Sequence, residues 1–197
     1  VGDDQANGRP RKGVLHLCGR GTNPSPVLFV TACVSAAEIG MPQCPAMLHS
    51  RSGMMFRRCL GRAFFDAADW YYTSIVKYVP VGGKPKAEDW RWSSPAFLDE
   101  IEKMKPQLRI IVCMGKPVLD FMLGLNPDPK ERRIKYRLRD VSGAFIPAPW
   151  IGPAVRLFPM DATSVPVMRP ELYERFLLDL TAIKAELDAI SGHTVVQ

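Results

Sequence analysis

Arg109-Ile110-Ile111-Val112-Cys113-Met114-Gly115, running straight into Lys116-Pro117-Val118-Leu119-Asp120-Phe121-Met122-Leu123 and a stopping Gly124, decides the fold. A near-continuous apolar run of this length predicts a strand buried on both faces, which is the habit of parallel sheets covered by helices. Pro117 near the start of the next segment and Gly124 at its end are helix punctuation. Runs of the same apolar character lie at 27–34, 71–78 and 155–160. Helical spacing recurs between and after them. Residues 52–64 form one such segment. Residues 94–105 form another, with Ser94 as N-cap, Pro95 in the first turn, and Phe97, Leu98, Ile101 and Met104 on one face. Pro170 opens the last, where Leu172, Phe176, Leu180, Ile183, Leu187 and Ile190 make a single stripe. Strand alternating with helix predicts a three-layer α/β/α fold with a mostly parallel four-stranded sheet. Residues 1–26 read as an N-terminal extension and 27–197 as one domain. Ligands in such sheets bind beyond the carboxyl ends of the strands, so chemistry is expected in the loops after Val34, Tyr78, Gly115 and Met160.

Composition narrows the class. Of 197 residues, 47% are hydrophobic and 23% charged, which suits a globular domain and not a disordered chain. No apolar run approaches the roughly 18 residues of a membrane span. The polar segment 1–12 has no signal-peptide core, so a cytoplasmic protein is expected. Lys and Arg number 26 against 20 Asp and Glu, a net charge of +6, and a basic surface favours polyanionic partners. Cys18, Cys33, Cys44, Cys59 and Cys113 form no C-x-x-C pair, which removes the zinc-ribbon and iron–sulfur signatures. With only His16, His49 and His193 beside them, no metal site is expected.

The stretch 130–139 holds six basic residues and one acid. Ile134, Tyr136 and Leu138 alternate in it with Lys135, Arg137 and Arg139, which would put three cations on one face of a strand. Such a face is either a solvated sheet edge or a ribbon that contacts phosphates.

From about Val27 to Leu187 the order of segments resembles the uracil-DNA glycosylase superfamily, in particular its family 4 and family 5 branches. Tyr72-Thr73-Ser74-Ile75-Val76-Lys77-Tyr78-Val79-Pro80 is similar to the family's Tyr-x-Thr-Asn-x-Val-Lys-Cys-x-Pro strand and loop. Phe97-Leu98, Ile101, Pro106 and Ile110-Ile111-Val112-Cys113-Met114-Gly115 resemble its helix, its proline and its glycine-ended strand. Phe121-Met122-Leu123-Gly124 fits the next helix, and Leu138-Arg139 falls at a Leu-Arg-Gly turn. Arg169-Pro170 and Leu178-Asp179-Leu180 resemble the final helix.

The reactive positions depart from that pattern. Family 4 has Gly-Glu-Ala-Pro-Gly after its first strand, where this chain has Thr31-Ala32-Cys33-Val34-Ser35. Alanine thus replaces the acid that positions water, and Glu38 is the nearest carboxylate. Leu48 stands near the aromatic that stacks on the base, a smaller apolar surface than Phe. Ser74 replaces the asparagine that reads the uracil edge, and a hydroxyl cannot copy an amide's paired donor and acceptor. The family's His-Pro-Ser gives way to Asp161-Ala162-Thr163-Ser164, and an aspartate beside an anionic leaving base repels it unless protonated. Tyr78 and Ser93 or Ser94 stand where family 4 has cluster cysteines, so neither an iron–sulfur cluster nor another cofactor is expected.

The resemblance implies DNA as partner and a flipped pyrimidine as target. Its pocket would be lined by Thr31, Ala32, Cys33, Ser35, Leu48, Ser74 and the 161–164 loop. Phosphates would meet Lys77, Ser164, Arg169, Lys135, Arg137 and Arg139. Asp161, Glu38 and His49 are the candidate catalytic groups, serving an altered glycosylase or a transferase that enlarges a modified pyrimidine, as hypermodified phage DNA requires. A binding module without catalysis, or an enzyme of free nucleotides, are the competing readings. Trp90 and Trp92 are either stacking platforms or a cover over the sheet.

Overall fold

A computed structural model describes residues 19–34, 48–128 and 136–192. The elements run β1 (Arg20–Gly21), β2 (Val27–Cys33), α1 (Arg51–Arg62), β3 (Trp70–Val76), α2 (Ala87–Met104), β4 (Ile110–Met114) and α3 (Lys116–Gly124). They continue through α4 (Leu138–Val141), β5 (Ile146–Pro147), β6 (Arg156–Met160), α5 (Val165–Met168) and α6 (Tyr173–Ser191). Single 3-10 turns lie at Val81–Gly83 and Pro170–Leu172.

The sheet order is β1-β3-β2-β4-β6-β5. The four expected strands are its parallel core, β3-β2-β4-β6, and the sheet differs from the expected four by one antiparallel strand at each edge. Both edge strands are two residues long, too short to leave a periodic signal in sequence. Alternation along the strands divides the core in two. Val27, Phe29, Ile110, Val112, Phe158 and Met160 point to one side, where Phe56 and Leu60 of α1 and Phe176, Leu180 and Ile183 of α6 cover them. Leu28, Val30, Ile111, Cys113 and Leu157 point to the other, against Phe97 and Met104 of α2 and Val118 and Met122 of α3. Each such side chain contributes about 1.5–3 kcal/mol on burial, so two covered faces explain why these strands are apolar throughout. The three-layer α/β/α architecture follows.

Two local expectations are corrected. The helix expected from Ser94 begins at Ala87, and Pro95 lies inside it. Proline has no N–H for the Arg91 carbonyl four residues back, but the Ser94 hydroxyl donates to that oxygen at 3.3 Å and the helix continues. Asp89 anchors the true start by accepting the Lys86 N–H at 2.7 Å. Within that helix Trp90 stacks on Phe121 and Trp92 meets Tyr78 edge-on, so both indoles pack within the fold.

The basic stretch is the second correction. Leu138–Val141 is a helical turn, so Arg137 and Arg139 do not share the face of a strand. Leu138 and Val141, three residues apart, pack with Tyr136 against the α2–α3 side of the core, and this contact overrides the alternation. Lys135 lies outside the described residues. Among the described residues no helix is long and apolar enough to cross a membrane.

The connections fix where a ligand can sit. From β2 the chain moves to β3 on one side, and from β4 to β6 on the other. The carboxyl ends of β2 and β4 therefore flank the topological switch point, the crevice where open α/β sheets bind ligands.

Candidate functional site

A cavity of about 530 Å³ opens at that switch point. The end of β2 supplies Thr31, Ala32, Cys33 and Val34. The end of β4 supplies Met114 and Gly115, and Pro117 follows in the first turn of α3. Gly115 has φ 96°, a conformation that favours glycine, and its N–H donates to the Met160 carbonyl at 2.9 Å. That bond ties the ends of β4 and β6 together, and Ala162, Thr163 and Ser164 after β6 close this side.

The opposite wall is the first turn of α1. Ser50 caps the helix, its Oγ accepting the Gly53 N–H at 3.1 Å and lying 3.2 Å from Ser52 Oγ. Leu48 precedes the cap in the left-handed region, φ 80°, with its side chain buried. A Cβ on Gly53 would stand 2.2 Å from Leu48 Cα, so only glycine lets the helix approach this bend. Leu48, Ser50, Ser52 and Gly53 all face the cavity, as do Tyr72 and Gly83.

The described walls are thus polar through hydroxyls and apolar elsewhere, and no carboxylate or imidazole lines them. Thr31 Oγ1 donates to the Thr73 carbonyl at 3.3 Å and keeps its lone pairs. The Cys33 thiol is pushed up by burial and then by the negative charge of Asp89, so it stays protonated at neutral pH. Such a recess suits a neutral, planar, polar ligand.

Of the residues expected in the pocket, Thr31, Ala32, Cys33 and Leu48 line it, and Ser164 joins them. Ser74 does not: it pairs with Thr31 in register, is fully buried, and donates to the Val76 carbonyl at 2.9 Å. Asp161 is half-buried directly before the wall residue Ala162. Its charge reaches Asp179 of α6, whose carboxyl is raised to about 6, chiefly by burial, with Arg175 opposing and Asp161 adding. His49 follows Leu48 and places Nε2 3.0 Å from Arg20 Nη1. A guanidinium only donates, so Nε2 is the acceptor in this contact. Lys77 is buried, with Nζ 2.5 Å from Glu100 Oε2 and 2.5 Å from Thr73 Oγ1. Arg169, Arg137 and Arg139 are exposed. Ser35 and Glu38 lie outside the described residues.

Sequence reasoning missed Ser50, Ser52, Gly53 and Tyr72 as wall residues. The serine before an amphipathic helix was the available signal, since an N-cap marks a turn whose N–H groups and hydroxyls face outward. Where the resemblance sets cluster cysteines, Tyr78 packs against Trp92 and its hydroxyl donates to Asp89. Among the described residues that place holds an aromatic and a carboxylate, and Cys33 is the one thiol on which the Asp89 charge is found to act, which does not make the four-thiolate set of an iron–sulfur cluster. Among the described residues no group of three or more His, Cys, Asp or Glu could hold a metal ion.

No curated protein sequence matches the chain. The profile of the uracil DNA glycosylase superfamily matches residues 28–180, which takes in the parallel strands from the second residue of β2, all of the described cavity wall and the first two turns of α6. The chain therefore belongs to the uracil DNA glycosylase superfamily.

Proposed function

We propose that this protein draws a pyrimidine out of DNA into the cavity between β2 and β4 and acts on it there, as a divergent glycosylase or a base-modifying transferase. Membership of the superfamily supports a glycosylase-like enzyme acting on DNA bases. The observation that carries the reading is the hydroxyl-lined wall of Thr31, Ser50, Ser52, Thr163 and Ser164 around a hollow at the switch point. Hydroxyls donate and accept, so they can meet the mixed edge of a pyrimidine without charge. Flipping costs a few kcal/mol. Hydrogen bonds of about 0.5–1.5 kcal/mol each, with burial against Val34 and Leu48, are enough to offset it.

Loss of a base requires an activated water at the sugar or stabilisation of the departing ring. Asp161, the neighbour of Ala162, is the candidate to polarise the attacking nucleophile, with Glu38 and His49 as the other candidates. Water attacking C1′ breaks the glycosidic bond, and its proton passes to the departing base. A nucleophilic donor attacking the carbon of a base substituent that carries a leaving group expels that group with its electron pair, loses its own proton, and enlarges the base. Arg169, Arg137, Arg139 and Ser164 are the candidate phosphate contacts, and Ser35 and Lys135 belong to the same proposal.

The test is mass spectrometry of nucleosides from DNA carrying uracil or hydroxymethyluracil after incubation with the protein. Base loss supports the glycosylase, a heavier nucleoside the transferase. The lack of a carboxylate or imidazole in the described wall favours a second reading, a module that binds DNA without catalysis. Unchanged nucleosides together with salt-dependent DNA affinity would select it.

A further inference from the structure

We infer that the arginine row of α1 clamps the sugar–phosphate strand leading away from the cavity, so that one helix serves as pocket wall and backbone rail. The inference rests on the base-directed reading for its choice of DNA as partner.

Arg51, Arg57, Arg58 and Arg62 lie on α1, which has no acidic residue. At 3.6 residues per turn, Arg51, Arg58 and Arg62 fall within about 40° of one another on the helix surface. They span about 16 Å at 1.5 Å per residue. All three are exposed, and among the described residues neither Arg51 nor Arg58 makes an ion pair. Arg58 and Arg62, four residues apart, repel each other on this stripe. Glu174 acts on Arg62 at one end, and a polyanion along the row would relieve the repulsion at the other.

The row borders a groove of about 410 Å³, walled by Arg51, Met54, Met55 and Arg58 and by Val167 and Tyr173 opposite. Met54 is 57% exposed beside the two arginines. Cation and thioether side by side suit a chain of phosphates joined by apolar sugars. At the far end Arg62 donates to Tyr173 Oη at 3.0 Å and lies 5.6 Å from that ring, which holds its guanidinium in place.

Groove and cavity adjoin along the first turn of α1. Ser52 and Gly53 face the cavity while Arg51 and Met54, on the same turn, face the groove. Across from them Ser164 faces the cavity and Pro166 the groove. A strand with one nucleotide in the cavity would have its next phosphates beside Arg51 and Arg58.

The test is the salt dependence of DNA affinity for the R51Q/R58Q protein. Two lost phosphate contacts should flatten the slope of log affinity against log salt by about 1.8 on duplex, with at least about tenfold weaker binding at low salt. R51K/R58K, which keeps the charge, should retain the slope. K103Q/K105Q at the C-terminal end of α2, across the sheet, removes the same charge and should leave the slope unchanged. An unchanged slope in R51Q/R58Q overturns the inference and leaves the row to an acidic protein surface. An equal loss in K103Q/K105Q also overturns it. A flattened slope with no altered nucleoside would sustain the rail while removing the base-directed chemistry. A wild-type protein without DNA affinity removes both.

Discussion

Lys77 and Glu100 form a withdrawn ion pair, Nζ to Oε2 at 2.5 Å, with side chains only 8% and 19% exposed. Thr73 Oγ1 completes the triangle, 2.5 Å from the ammonium and 3.0 Å from the carboxylate. The pair joins the loop after β3 to α2 and packs its cation 5.7 Å from the centre of the Phe97 ring.

Removing one partner leaves the other charge without compensation in a poorly hydrated site. Lys77→Met is therefore expected to lower unfolding stability by about 2–3 kcal/mol, somewhat below the range for fully buried pairs because Glu100 retains some contact with water. Urea unfolding should show K77M/E100L less destabilised than K77M alone. The salt slope of DNA binding is expected to be the same in K77M as in wild type, since this ammonium is already engaged. A flattened slope with normal stability would reverse the assignment.

Gly53 and Leu48 meet backbone to backbone. Because the obstructing atom is Leu48 Cα, and not the end of a side chain, a methyl group at 53 cannot be relieved by a rotamer change. Gly53→Ala should cost about 1–3 kcal/mol by pushing the Leu48 bend away from α1. Base binding should weaken further than stability alone explains, because both residues are cavity wall. Leu48→Gly relaxes a left-handed backbone by roughly 1 kcal/mol but removes a buried side chain worth about 2–5, so it should also destabilise. Melting curves of the two variants check both signs.

Cys33 faces the cavity as a protonated thiol. The thiolate is the nucleophile, so alkylation of Cys33 at pH 7 should run slower than that of free cysteine and should accelerate only at higher pH than free cysteine does. Peptide mass spectrometry after a timed iodoacetamide pulse reads the site by itself. Once formed, an adduct there should block base binding while sparing the salt slope, because it fills the pocket and leaves the arginines of α1 untouched. Fast modification at neutral pH would instead make Cys33 a reactive group.

What was legible in sequence follows from the range of each contact. Val27–Cys33 and Ile110–Met114 announced themselves because a strand buried on both faces has no room for polar residues. The rule that ligands sit past carboxyl ends then led to Thr31, Cys33 and Ser164. The helix start at Ala87 was hidden because Ser94 and Pro95 imitate a first turn, and the repair of the Arg91 carbonyl is visible only in three dimensions. Ser74 shares a sheet face with Tyr72, yet only the tyrosine reaches the cavity, a difference that register and depth decide. The partners of Lys77 and Asp161 come from α2 and α6, and no local spacing predicts them.

Asp179 gives the last prediction, one of pH. Its carboxyl is raised to about 6 in the folded chain, first by burial, with Arg175 lowering it and Asp161 raising it. An unfolded aspartate titrates near 3.9. Between about pH 4 and 6 the native state holds a proton that the unfolded state has released. Stability contributed by this group is therefore full below pH 4 and falls as pH rises through 6, the reverse of a salt-bridged aspartate. Asp179→Asn removes the charge that must be buried at neutral pH. Discounted for its partial exposure, the gain at pH 7 should be about 1 kcal/mol. That is about 2–4 °C in Tm for a chain of this size. At pH 4 the two proteins should melt together, and the gap should open between pH 4 and 6. A gap independent of pH would mean that Asp179 titrates as an ordinary carboxylate.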